Sequence, residues 1–180
     1  MKIRILSWVL ILALCVLTSC FESYLPSQEE IENNFKSFQN EYLAAAQAAF
    51  SYEGEHYFST TYNSRPRGWN GGDGVYKGDM EDNISLVENE ALYTLFTTCG
   101  VNSMHSSFTD MLQVCEFNCA GSGSVYSGIY FTNSDQALCL MDFALELKEN
   151  GNGYSANLGG WSYYYTEKIS DCFFYYEARR

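Results

Sequence analysis

Proline and histidine are scarce here: Pro26, Pro66, His56 and His105 are the only four such residues in 180. Two histidines leave few candidates for general bases or nitrogen ligands, and serines and aspartates are too plentiful to single out a hydrolase triad. Positive charge is also thin. Ten Lys and Arg face 22 Asp and Glu, a net charge of −12. Such a field repels phosphate backbones, so the sequence predicts no nucleic-acid partner. The longest apolar stretch, Ile5 to Leu17, is interrupted only by Ser7 and covers 13 residues. A membrane-crossing helix needs roughly 20. Cofactor fingerprints are missing too. Gly72, Gly74 and Gly78 lack dinucleotide spacing, and no Lys-Ser/Thr follows as in a phosphate loop. There is no Gly-x-Ser-x-Gly elbow. No cofactor and no catalytic residue is assigned.

Lys2 and Arg4 precede the apolar run, and Leu17-Thr18-Ser19-Cys20 closes it. A basic start, an apolar core of this length and small residues at its end describe an export signal over residues 1–19. The four closing residues resemble the lipobox of bacterial lipoproteins. The resemblance implies cleavage before Cys20, lipidation of that cysteine and membrane attachment through the lipid. It places the protein in the bacterial cell envelope. By the lipoprotein sorting rule, Phe21 in place of Asp implies the outer membrane where the host has two. Removing the leader leaves 22 acidic against 8 basic side chains, net −14. With no basic patch to help, attachment rests on the lipid. Residues 20–26 form a tether, which beyond Cys20 reaches at most about 20 Å.

Aromatics are abundant, with 15 Tyr and 12 Phe. They point to packed β-structure and exclude a disordered chain. Beyond Cys15 and Cys20 there are five cysteines: Cys99, Cys115, Cys119, Cys139 and Cys172. Export favours disulfides, and an odd count leaves at least one thiol over. Cys139 and Cys172 fall in neighbouring predicted β-segments and form the expected pair.

Ser27 and Glu30 form a capping-box pattern, and Ile31, Phe35, Phe38, Tyr42, Ala45 and Ala49 mark one apolar face. The spacing predicts a helix over about 28–50. Strand is expected between Tyr52 and Asn63, where Tyr57, Phe58, Thr60, Thr61 and Tyr62 favour it, then a glycine-rich acidic loop over 65–83. In that loop Asp79, Glu81 and Asn83 imitate the opening of a calcium loop, but Ile84 stands where the turn glycine belongs; Asp73, Asp79, Glu81 and Asp82 are candidate ligands of a looser calcium site. Asn83 is predicted to cap a second helix through Ile84, Leu92 and Leu95 to Cys99, ended by Gly100. A polar connection holding His105 follows. Strands are then expected over Leu112–Asn118, Tyr126–Thr132, the alternating Leu138–Leu147, Trp161–Lys168 and Cys172–Ala178. Asn150-Gly151-Asn152-Gly153 is the strongest hairpin signal. Tyr164 to Ala178 is similar to the C-terminal hairpin of uncharacterised small bacterial proteins. That resemblance implies no activity.

Three chemical constellations are conceivable. Cys99, His105, Cys115 and Cys119 are ligand types for zinc, at spacing outside the tight knuckle pattern, and no metal is assigned to them. Cys99 or Cys115 with His105 makes a thiol–imidazole pair without a local signature. Glu167 and Glu177 are paired carboxylates of the kind that flank a sugar bond.

The fold expected for residues 27–180 is a single α+β domain. Two N-terminal helices pack on a mainly antiparallel, aromatic-rich sheet. The expected function is a non-catalytic, envelope-anchored binding or interaction module for a protein or glycan. The alternative is a carbohydrate-active hydrolase using Glu167, Glu177 or the loop acids Asp73 and Asp79.

Overall fold

The computed structural model describes residues 25–51, 54–59, 75–77, 82–84, 90–108, 111–122, 124–160 and 162–179. Among these residues the architecture is mixed α+β: three helices and an antiparallel eight-stranded sheet, with a separate two-stranded ribbon.

Helix α1 (Gln28–Ser37) begins as the capping box predicts. The Glu30 N–H donates to Ser27 Oγ at 3.3 Å, and the Ser27 N–H donates to Glu30 Oε2 at 2.8 Å. The expected single helix is broken at Phe38, where α2 (Gln39–Ala49) starts. Ser37 Oγ donates to the Asn33 carbonyl at 2.9 Å, a back-bond to the previous turn that bends helices. The Phe38 backbone then leaves helical geometry, with φ −131° and ψ 26°.

Strand β1 (Gly54–Ser59) lies within the predicted region. Strands β2 (Val75–Lys77) and β3 (Asp82–Ile84) pair antiparallel, with Asn83 opposite Tyr76. This corrects the predicted cap: Asn83 and Ile84 are strand, and helix α3 covers Glu90–Thr98. Ladder pairing with β2 overrides the local capping preference of Asn83. The supposed polar connection at His105 is strand β4 (Ser103–Phe108). It alternates buried Met104 and Ser106 with more open residues, a period of two hidden by its serines.

The remaining strands are β5 (Gln113–Ser122), β6 (Val125–Thr132), β7 (Lys148–Asn150), β8 (Gly153–Gly159), β9 (Ser162–Ser170) and β10 (Phe173–Arg179). Their order across the sheet is β1-β4-β5-β6-β10-β9-β8-β7. The Asn150–Gly153 hairpin forms as predicted, and Gly151 takes φ +64° in its turn.

The strand expected over Leu138–Leu147 is absent. That segment is a strap of successive turns: the Asp142 N–H donates to the Cys139 carbonyl and the Leu145 N–H to the Asp142 carbonyl. Asp142 Oδ1 also accepts the Ala144 N–H at 3.0 Å. The alternating leucines satisfy burial without a ladder, since Leu138, Leu140, Leu145 and Leu147 all pack against one apolar cluster.

The central strands β6, β9 and β10 feed two clusters, one on each face of the sheet. On β10, Phe173 and Tyr175 join one while Phe174, Tyr176 and Ala178 join the other. The first cluster includes Phe35, Tyr42, Leu92 and Leu95 with Phe117 and Ile129. Phe35 lies 4.8 Å from Phe173, and Tyr42 meets Phe117 edge-on at 5.0 Å. The second cluster holds Tyr130, Tyr164, Phe174 and Tyr176 under the strap. Tyr130 stacks on Phe174 at 5.1 Å, and its hydroxyl accepts the Leu138 N–H at 2.9 Å, tying strap to sheet. Each buried aromatic contributes roughly 1.5–3 kcal/mol by removal from water.

Candidate functional site

The strap does not cover the whole second face. A cavity of about 210 Å³ opens between it and the strands β1, β4 and β5. Strand register explains the lining. Tyr57, His105 and Glu116 are consecutive cross-strand partners on β1, β4 and β5, so their side chains share this face. Two residues along, Ser103 pairs with Asn118. Tyr126, Tyr164 and Tyr176 wall the far side, and Leu140 with Met141 of the strap forms the rim. A smaller hollow of about 150 Å³ adjoins, sharing His105, Glu116 and Leu140 and reaching the exposed Phe143.

Among the described residues Glu116 is the cavity's only carboxylate, and no Lys or Arg lines it. Tyr176 Oη donates to Glu116 Oε1 at 2.5 Å. Burial holds the Tyr176 phenol far above its ordinary value, and the adjacent Glu116 charge adds to this. It therefore stays protonated and remains a donor. The second Glu116 oxygen takes no hydrogen bond from the described residues. Tyr164 is fully buried, and its hydroxyl faces the Leu140 backbone without completing a hydrogen bond. A buried hydroxyl left without a partner costs about 1–3 kcal/mol.

The sulfur constellation is only half assembled. Cys99 and Cys119 line one hollow of about 250 Å³ with Pro26, Ile31 and Asn34. Tyr42 Oη donates to the Cys99 carbonyl at 3.4 Å and lies 3.7 Å from Cys119 Sγ. Cys115 is buried in the same cluster, whereas His105 faces the cavity on the opposite side of the sheet. The sheet thus separates the imidazole from the thiols. Among the described residues no three His, Cys, Asp or Glu side chains converge as a metal set. Burial raises the thiols, Cys99 to about 11 and Cys119 to about 12, away from nucleophilic use.

The expected Cys139–Cys172 bridge is not formed; both are free thiols in the structure. Cys139 is buried in the second cluster as part of the strap, while Cys172 occupies the β9–β10 turn at φ 63°. The expectation rested on Cys139 lying in a strand, and it lies in the strap instead.

Glu167 and Glu177 fall on adjacent strands, opposite Tyr175 and Tyr165 respectively. Glu167 accepts from Tyr165 Oη at 2.7 Å and from Gln28 Nε2 at 3.1 Å, so it ties α1 to the sheet. Neither glutamate lines the cavity. The predicted lipidation site Cys20 and the loop acids Asp73, Asp79 and Glu81 lie outside the described residues; Asp82 opens β3.

Glu116, Tyr164 and Tyr176 carry this site, and the sequence reading did not pick them out. One signal was present: Glu116 is a charge set between Cys115 and Phe117 in a strand-forming run. The chain matches no family model, no curated protein and no solved structure.

Proposed function

We propose that this chain is a bacterial envelope lipoprotein, anchored by lipid on Cys20, whose domain is a non-catalytic binding module. In this reading α1 and α2 cover one face of the sheet as a structural layer. The other face is left to the strap and a ligand. The observation that carries the proposal is the cavity bounded by Glu116, Tyr176 and the unpartnered Tyr164 hydroxyl. A concave site with a few convergent polar groups and aromatic walls is the usual form of a small-ligand pocket. A hydrolase acting through Glu167 and Glu177 is not favoured, because Glu167 is engaged by Gln28 and Tyr165.

The anchor is supported by the basic start, the apolar run and Leu17-Thr18-Ser19-Cys20. No described helix is long and apolar enough to cross a membrane. Two measurements test the two halves of the proposal. A palmitate analogue fed to cells should label the wild type and spare Cys20→Ala; equal labelling removes the anchor. Thermal unfolding of the purified protein against a small-metabolite panel should show a ligand that raises the midpoint without being consumed. Turnover of any member would replace the binding reading by an enzymatic one.

A further inference from the structure

We propose that the cavity under the strap binds a primary ammonium group, the head of a small organic amine. The inference rests on the binding reading above and names the ligand's chemistry. Among the described residues that line the cavity Glu116 is the one carboxylate, and none is Lys or Arg. The hydroxyl beside it is already committed, since Tyr176 gives its proton to Glu116 Oε1 at 2.5 Å. Among the groups left for a ligand, the second Glu116 oxygen, the Asn118 side-chain carbonyl and the Tyr164 hydroxyl oxygen can accept, while Ser103 and the Asn118 amide nitrogen can also donate. A primary ammonium carries three donors and no acceptor, which matches those three acceptors.

The walls point the same way. Tyr57, Tyr126, Tyr164 and Tyr176 line the same cavity as the carboxylate, and aromatic walls favour an organic cation. At about 210 Å³ the space is below the ordinary range of roughly 300–1,000 Å³ for ligand pockets. It therefore suits a head group rather than a whole metabolite. The rest of the molecule would extend into the adjoining hollow toward Phe143. A net charge of −12 draws cations toward the whole molecule and repels anionic competitors.

The test is calorimetric titration of the full-length protein in detergent with ethanolamine, putrescine, choline and, as a neutral comparison, glycerol. Ethanolamine and putrescine should bind, choline more weakly for want of donors, and glycerol not at all. Glu116→Gln keeps an acceptor for Tyr176 while removing the charge, and should weaken amine binding by at least about tenfold. Asn118→Asp adds a second carboxylate and should tighten it by a few-fold, so the proposal stays exposed even if the first variant folds poorly. Amine binding that neither variant changes would overturn the assignment. Binding of glycerol with no binding of amines would overturn the ligand class while leaving the pocket as a binding site. Binding of none of the four, in protein whose far-UV spectrum shows it folded, would overturn the ammonium assignment. If a broader small-metabolite panel also left the melting midpoint unmoved, the binding reading would fall with it.

Discussion

Tyr176 reaches across a whole strand to hydrogen-bond Glu116. β6 lies between their strands, and where the tyrosine crosses it carries Gly128, paired with Tyr176 on one side and Asn118 on the other. No side chain stands in the way at that position. A Cβ built on Gly128 would come 2.0 Å from the Phe117 carbonyl oxygen, a backbone atom that cannot swing aside.

Gly128→Ala should therefore destabilise the protein by about 1–3 kcal/mol, toward the upper end, because the β5–β6 ladder itself must shift. Urea unfolding reads this as a lower midpoint with an unchanged slope. An unaltered midpoint would contradict the crowding.

Phe35→Ala should cost about 3–5 kcal/mol, the usual range for emptying a buried aromatic site. Its ring is buried against both Tyr42 and Phe173. Tyr163→Ala, at a side chain 36 % exposed, should stay within about 1 kcal/mol. Similar losses for the two variants would mean that α1 is not docked as described.

Asp135 clasps the start of the strap to the β9–β10 turn. Its carboxylate accepts the Cys172 N–H at 2.6 Å and Lys168 Nζ at 2.6 Å. The Lys168 hydrogen bond, then that from Cys172, holds the Asp135 carboxyl below its ordinary value of 3.8. A lowered carboxyl stabilises the fold fully above its unfolded value, and that contribution is lost as pH falls through the folded one. Asn tolerates the φ of 52° at this position as Asp does, so melting midpoints of wild type and Asp135→Asn should differ at neutral pH and converge on acidification. Both groups are exposed, so added salt should also narrow the gap. A gap that persists in acid would exclude the clasp.

Alkylation at mildly alkaline pH should mark Cys172 first, since it sits half-exposed on a turn. Cys115 is fully buried, its thiol pushed well up by burial, and should react only after unfolding. Peptide mass mapping of the time course checks the order. Early modification of Cys115 would show that the first cluster opens readily.

Local chemistry was legible where it was decisive. Ser27 and Glu30 specify their cap, Asn150-Gly151-Asn152-Gly153 specifies its turn, and the two-faced run Phe173–Tyr176 announces a strand buried on both sides. What escaped depends on partners distant in sequence. Asn83 reads as a cap until Tyr76 is known to lie opposite it. Leu138 to Leu147 alternate like a strand, yet both potential neighbours, β6 and β9, are already paired on each edge. The site was the least legible part. Tyr57, His105 and Glu116 come together only through the β1–β4–β5 register, which no local pattern fixes.

Strand order also carries a kinetic consequence. β7 to β10 form a run of consecutive hairpins, and β4 to β6 form another. These two meanders meet only along the β6–β10 seam, where Phe131 pairs with Phe173. Hairpins close quickly because little chain is looped out, whereas the seam must close over the strap and three strands. Phe173 and Tyr175 belong to one cluster, Phe174 and Tyr176 to the other. Neither can be completed before that seam zips. Closure of the β6–β10 seam should therefore limit the folding rate, and substitutions along β6 and β10 should slow refolding more than equally destabilising ones in α3.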